Sequence, residues 1–288
     1  MTAERDPGLH LLDPEESRAI FDVAIAGRRF AHLTGVDEPT VHFFGGQPGA
    51  GKSSSQQKVI DALHLQSGAA TVAVIIGDEF RGYHPQYAEL LATDDANAAF
   101  YTDRDSARWV EMSIDHATAV RSHIVLEGTL RNPDVTLGSA RAAIAQGYSA
   151  ELHVMAVHEF VSRQRILRRY VSQVSDSGHG RYTLREAHDR AYRAIPASVQ
   201  AIAEADALSA ITVYDANADE VARVEAPTST DLDDVLAELA RQRDDAFLEP
   251  EPLIAALDEM EPTLVSLGRA VPLEDLRALR LEIASALR

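Results

Sequence analysis

Gly45-Gly46-Gln47-Pro48-Gly49-Ala50-Gly51-Lys52-Ser53 follows the apolar run Val41-His42-Phe43-Phe44, and the reading of this stretch decides the fold. Gly46 to Ser53 fits G-x-x-x-x-G-K-[ST], a loop whose backbone N–H groups cradle phosphates. Its Lys reaches the β- and γ-phosphates, and its hydroxyl ligates Mg²⁺. A strand must precede such a loop and a helix must follow it. The apolar run supplies the strand, and Ser54 to Gln66 supplies the helix, with Val59, Ile60, Leu63 and Leu65 expected largely on one side. Lys52 and Lys58 are the only lysines in a chain whose other basic positions are arginine. A lysine is thus kept where the chemistry asks for a slim, flexible ammonium.

Working outward, 288 residues suffice for one substantial α/β domain and a small appendage. Hydrophobic content of 45% and charged content of 25% are those of a soluble globular protein. The formal charge of −18 would repel a nucleic-acid backbone over most of the surface, so any basic site is local. There is no cysteine, which excludes disulfides and thiolate metal sites. No signal-peptide core or long apolar run is present, so the expectation is a cytoplasmic protein without nucleic-acid or membrane partners.

Strand and helix then alternate. Asp13-Pro14 predicts a helix start, an N-cap followed by Pro at N1. Residues 71–76, 124–126, 152–157 and 210–214 read as buried strands, with 221–224 pairing beside the last. Helices are expected over 85–91, 106–121, 135–146 and onward from His158, the last breaking at Ser175 to Gly180. Thr183 to Glu186 reads as a capping box opening a further helix. The alternation predicts an α/β fold, a P-loop kinase-like parallel sheet with helices on both faces. At Ala226 the texture changes, with fourteen acidic residues against six arginines from there to Arg288. Three helices are expected there, over 232–247, 251–261 and 273–287, separated by Pro250, Pro262 and Pro272. The domains predicted are therefore 1–225 and an acidic helical extension over 226–288.

In open α/β sheets ligands bind outside the carboxyl ends of the strands. The first strand end carries the phosphate loop, the second Asp78, and the third Glu127 with Thr129. A carboxylate beside the phosphate lysine either holds Mg²⁺ or accepts a proton from an attacking hydroxyl, and sequence leaves both roles open for Asp78. Arg169, late in its helix, and Arg181, just past the Gly178-His179-Gly180 lid position, are candidates for neutralising a transferring phosphoryl group. His-Glu-x-x-His and Gly-x-Ser-x-Gly are both absent, so zinc and serine hydrolysis lack support.

Gly46 to Ser53, Gly77-Asp78-Glu79-Phe80-Arg81 with His84-Pro85, Glu127-Gly128-Thr129-Leu130-Arg131, Arg169-Tyr170, Arg181 and Ala187-His188-Asp189 occur in the order of the zeta toxin family, which the chain resembles from about Asp13 to Tyr214. The resemblance implies ATP-dependent (or GTP-dependent) phosphorylation of a UDP-amino sugar, usually UDP-N-acetylglucosamine, at its 3′-hydroxyl, blocking cell-wall precursor synthesis. It implies Asp78 as the base, and Lys52, Arg169 and Arg181 as catalytic cations. Nucleotide binding would fall to Gly46, Gln47, Pro48, Gly49, Ala50, Gly51, Lys52, Ser53 and Ser54, with Ser53 on Mg²⁺. Phe80, His84, Glu127, Thr129 and Ser139 join Asp78 as the implied acceptor residues. A separate helical antitoxin is the implied partner. The tail departs from compact relatives and is expected to act as an antitoxin-like inhibitor in cis, a dimerisation element or an inert cap. The alternatives are a phosphotransferase for an antibiotic or nucleotide, and a nucleotide-dependent binding switch.

Overall fold

A computed structural model describes residues 6, 8–95, 97–244 and 248–286. Helix α1 (Pro14–Ile20) starts as expected, with the Asp13 carboxylate accepting from the N–H groups of Glu15 and Glu16. It continues without a break into a wider π-wound stretch over Phe21–Arg29. Then follow β1 (Thr40–Gly45), α2 (Lys52–Ser67), β2 (Val72–Ile75), the short α3 (Gly77–Phe80), α4 (Tyr87–Thr93), α5 (Ala98–Tyr101) and α6 (Asp103–Val120). Next are β3 (His123–Gly128), α7 (Pro133–Ile144), β4 (Ser149–Met155), α8 (Glu159–Ser177), α9 (Arg185–Glu204), β5 (Ala210–Tyr214) and β6 (Glu220–Glu225). Three helices close the chain: α10 (Ser229–Arg241), α11 (Pro250–Ser266) and α12 (Ala270–Ala286).

The six strands form one sheet in the order β2-β3-β1-β4-β5-β6. The first five are parallel, and β6 pairs antiparallel with β5. The chain leaves β1 towards β2 and β3 on one side and later returns to β4 on the other. The crevice for a ligand therefore lies beside the carboxyl end of β1. Alternation along β1 sends Val41 and Phe43 to the face covered by α6, α7 and α9, and Phe44 to the face covered by α2. Both faces are thus buried, as a parallel sheet requires.

Four local expectations are corrected. Ile60 and Leu63 of α2 are buried, but Leu65 is 90% exposed, because two residues turn a helix by about 200° and carry it to the opposite side. Helix α9 begins behind Leu184 with no side-chain cap, and the Thr183 hydroxyl expected to cap it instead accepts a bond from Arg169. Pro262 lies inside α11 without ending it. It removes one helical N–H, a cost of about 3 kcal/mol or more, offset where Leu257, Met260 and Leu264 are buried against α8 and α12. Pro272 sits in the first turn of α12, where backbone N–H groups lack helical partners in any case. The expected ends of two tail helices, Phe247 and Leu287, lie outside the described residues.

The tail packs in two places. Val235 and Leu239 of α10 join the main core beside β6 and α9. Helices α11 and α12 form a hairpin on α8, burying Leu257, Leu264, Leu276, Leu279 and Ile283 against Ile166, Leu167, Tyr170 and Val174.

Candidate active site

The phosphate loop is built by backbone that only glycine accepts. Gly49 has φ +79°, and a Cβ there would lie 2.1 Å from the Ser162 carbonyl oxygen. Gly51 has φ +90° and opens α2 with no side-chain cap, so the positive end of the helix faces the crevice. Gln47 holds the loop from beneath. Its Nε2 donates to the Val157 carbonyl at 2.8 Å and to Ser162 Oγ at 3.2 Å. Ser162 Oγ lies 2.8 Å from His188 Nε2, and His188 Nδ1 lies 2.9 Å from Asp189, a polar chain joining the loop to α8 and α9. The Lys52 ammonium donates to the carbonyls of Gly46 (2.9 Å) and Gln47 (3.3 Å) and lies 3.6 Å from Glu127. Burial pulls its pKa down, and Glu127 and Asp78 oppose that pull.

Asp78 sits in the first turn after β2, 2.6 Å from Arg181 and 3.1 Å from Arg81. Burial pushes its carboxyl up, but Arg181, Arg81 and Arg169 outweigh that and hold it below the usual carboxylate value. Arg169, one turn of α8 beyond Arg165, donates to Thr183 Oγ1 at 3.1 Å. Burial and the neighbouring Arg181 bring its pKa down to about 10. Glu127 closes β3 opposite Phe44 of β1, and Thr129 just beyond it accepts from Arg131 at 3.0 Å.

These groups share one cavity of about 940 Å³, which takes in Pro48, Gly49, Gly51, Lys52, Ser53, Asp78, Glu127, Thr129, Arg169 and Arg181. Such a volume is at the upper end for small-molecule sites. The remaining residues predicted for the site do not line the cavity. Gln47 and Ala50 point into the protein, the Gly46 carbonyl is taken by Lys52, and Ser54 is exposed outside the cavity. Phe80 is wholly buried, with the Arg29 guanidinium 5.4 Å from its ring centre. His84 is buried too. Its Nδ1 accepts from the N–H of Gln86, so Nε2 donates to the His10 carbonyl at 3.0 Å, a structural task away from the cavity. The Ser139 hydroxyl turns back onto the Val135 carbonyl of its own helix.

Four lining arginines, Arg81, Arg104, Arg131 and Arg165, are not among the site residues expected from the sequence. Arg81 braces Asp78, Arg131 braces Thr129, and Arg165 reaches within 3.3 Å of where a Cβ on Gly51 would stand. The signals were present: Arg81 is three residues after Asp78, and Arg165 is four before Arg169, each pair on one helical face. Among the described residues, none from 226 onward lines this cavity, so the tail does not plug it.

The model of the family described as Zeta toxin matches residues 25–224 of this chain. The chain belongs to the zeta toxin family. Toxin zeta of Enterococcus hirae is 29% identical over 180 residues, 62% of this chain and 61% of that protein. Toxin PezT of Streptococcus pneumoniae serotype 4 is 29% identical over 153 residues, 53% of this chain and 58% of that protein. The matched segment thus spans about three fifths of these relatives. In three dimensions the chain is similar to a structure from the PezAT chromosomal toxin–antitoxin system of Streptococcus pneumoniae, with TM-score 0.68 and 23% identity, covering 90% of this chain and 99% of that one. It is also similar to an AvrRxo1-ORF1:AvrRxo1-ORF2 structure with ATP, with TM-score 0.57 and 13% identity, covering 96% and 91%. Both likenesses concern the fold. The first covers more than the 225 residues ahead of the tail, so part of the tail has a counterpart in that fold, although the family match itself ends at residue 224.

Proposed function

We propose that the chain transfers the terminal phosphoryl group of ATP (or GTP) to a hydroxyl of a UDP-amino sugar such as UDP-N-acetylglucosamine, and acts in the cytoplasm as a zeta-type toxin restrained by a helical antitoxin. In this reading residues 1–225 are the kinase domain and 226–288 its helical extension. The observation that carries it is the position of Asp78, a carboxylate held ionised by Arg181 and Arg81 in the cavity that also contains Lys52 and Arg169. A pure nucleotide-binding switch needs no base at that point.

The phosphate loop and the start of α2 hold the donor phosphates, with Lys52 leaving the Gly46 and Gln47 carbonyls to meet them. Asp78 takes the proton of the acceptor hydroxyl as its oxygen bonds to the γ-phosphorus. The bond from that phosphorus to the β–γ bridging oxygen breaks, and the nucleoside diphosphate leaves with the electron pair. A carboxylate with a lowered pKa is a weak base, which suits a loose transition state in which little proton transfer is needed early. Arg169 and Arg181 face the charge on the equatorial oxygens, and Glu127 and Thr129 orient the acceptor. Ser53, Asp78 and Glu127 offer the hard oxygens that Mg²⁺ prefers. Bound there, the ion would neutralise phosphate charge.

Incubation with ATP and a panel of UDP-sugars, nucleotides and antibiotics, followed by mass spectrometry, tests the acceptor. A UDP-amino sugar carrying one added phosphate is expected. Phosphate found only on non-sugar acceptors would overturn the substrate assignment.

A further inference from the structure

A second cluster of chemically capable side chains lies at the β1–β4 junction, and none of its members lines the catalytic cavity. The parallel register sets His42 opposite Glu151 and Phe44 opposite His153, and the two-residue repeat of β4 puts Glu151 and His153 on one face. His42 Nδ1 lies 3.1 Å from His153 Nε2, and each nitrogen lies 3.7 Å from Glu151 Oε2. A triangle with those sides has its centre about 2.0 Å from every corner, the length of a zinc–nitrogen or zinc–carboxylate bond. We propose that His42, Glu151 and His153 bind a divalent transition ion of the zinc class.

Donor chemistry and surroundings agree with this assignment. Two imidazoles and one carboxylate suit borderline ions better than Mg²⁺ or Ca²⁺, which prefer oxygen alone. His153 is oriented twice. The Tyr214 hydroxyl is 3.1 Å from its Nδ1, and the Phe44 ring stacks on it with centres 4.4 Å apart. When Nδ1–H donates to Tyr214, the Nε2 lone pair faces the triangle, the outer-shell support usual for a ligating histidine. Access comes from the Glu151 side, where that carboxylate is 19% exposed. Arg223 approaches the same Oε2 at 3.3 Å and competes with an ion for it. His42 Nε2 is buried without a hydrogen-bond partner, so its outer shell is incomplete. Three protein ligands and lopsided support describe an exchangeable ion with an open coordination position.

Calorimetric titration of the full chain with zinc chloride tests the site. One saturable zinc per chain is expected, weakened at least about tenfold in Glu151→Gln and unchanged in His32→Ala, an exposed histidine elsewhere. Arg223→Gln removes the competitor but no ligand and should bind as tightly as the wild type or more tightly. Absence of saturable uptake, full retention in Glu151→Gln, or a loss in Arg223→Gln equal to that in Glu151→Gln would overturn the proposal. Should Glu151→Gln fail to fold, cobalt(II) added to the wild-type chain reads the geometry directly. An absorption spectrum distinct from the aquo ion supports the site, and the aquo spectrum alone overturns it.

Discussion

Asp78 shows how a single residue's environment sets the pH behaviour of the whole site. Three arginines hold it ionised, so its ion pairs stabilise the fold above the ordinary carboxylate range and are lost as pH falls through its lowered value. On the alkaline side burial has lowered Lys52 and brought Arg169 to about 10. The profile of kcat/KM should therefore be flat from about pH 6 to 8 and fall above about 9 as those cations lose their protons. An acid limb near neutrality in a pH–rate profile would instead point to a histidine base. Gly49→Ala drives a methyl group into the Ser162 carbonyl at positive φ, and should cost at least about 1–3 kcal/mol along with most nucleotide affinity. Thermal unfolding and nucleotide titration read the two effects. Lys52, Asp78 and Glu127 were legible in the sequence because their chemistry is tied to fixed places at strand ends. Phe80 and His84 share a motif with Asp78 yet point away, since neighbours along a helix or turn face different directions.

Among the elements, the segment between α8 and α9 matters most, because it carries Arg181 to Asp78. The C-terminal hairpin holds this segment from behind. Arg269 donates to the Gly178 carbonyl at 2.6 Å, Tyr182 bonds Asp275, and Glu282 receives both Arg185 (2.8 Å) and Arg163 (2.5 Å). Burial and Asp275 push the Tyr182 hydroxyl up, so it remains a protonated donor. Asp275→Ala leaves that donor without an acceptor, a cost of about 1–3 kcal/mol. It should lower kcat while leaving ATP affinity near the wild-type value, as unfolding curves and steady-state kinetics can show. Unchanged kcat would make the hairpin a buttress alone. The sequence could not reveal this contact. Glycines at 178 and 180 suggested a free lid, whereas the residues that tie it down lie some ninety positions later. Pro262 read as a helix break for a similar reason: local propensity yields where Leu257, Met260 and Leu264 pack against α8 and α12.

For the whole molecule, the fold class followed from alternating apolar runs and helical patterns, which persist whatever the strand order. The order β2-β3-β1-β4-β5-β6 was not legible, because buried parallel strands are apolar throughout and carry little register information. The charge of the tail alone does not show how it packs. Its acidic residues face solvent, arginines of the tail itself, as in Asp258–Arg280 and Glu261–Arg277, or the arginines of α8 and α9, and Leu257, Leu264, Leu276 and Leu279 complete a core. Removing 250–288 would uncover Ile166, Leu167, Tyr170 and Val174 and release the Arg181 segment. Turnover should then fall, whereas relief of cis inhibition would raise it. The comparison requires equal amounts of folded protein, checked by circular dichroism.

The central claim is that one cavity binds ATP and directs its phosphoryl group through Asp78. Single-turnover transfer from ATP to UDP-N-acetylglucosamine by the wild type and Asp78→Asn, with ATP affinity measured in parallel, tests it most directly. The expected result is a loss of about 10²- to 10⁴-fold in the transfer rate with ATP affinity retained; transfer at the wild-type rate by Asp78→Asn would contradict it.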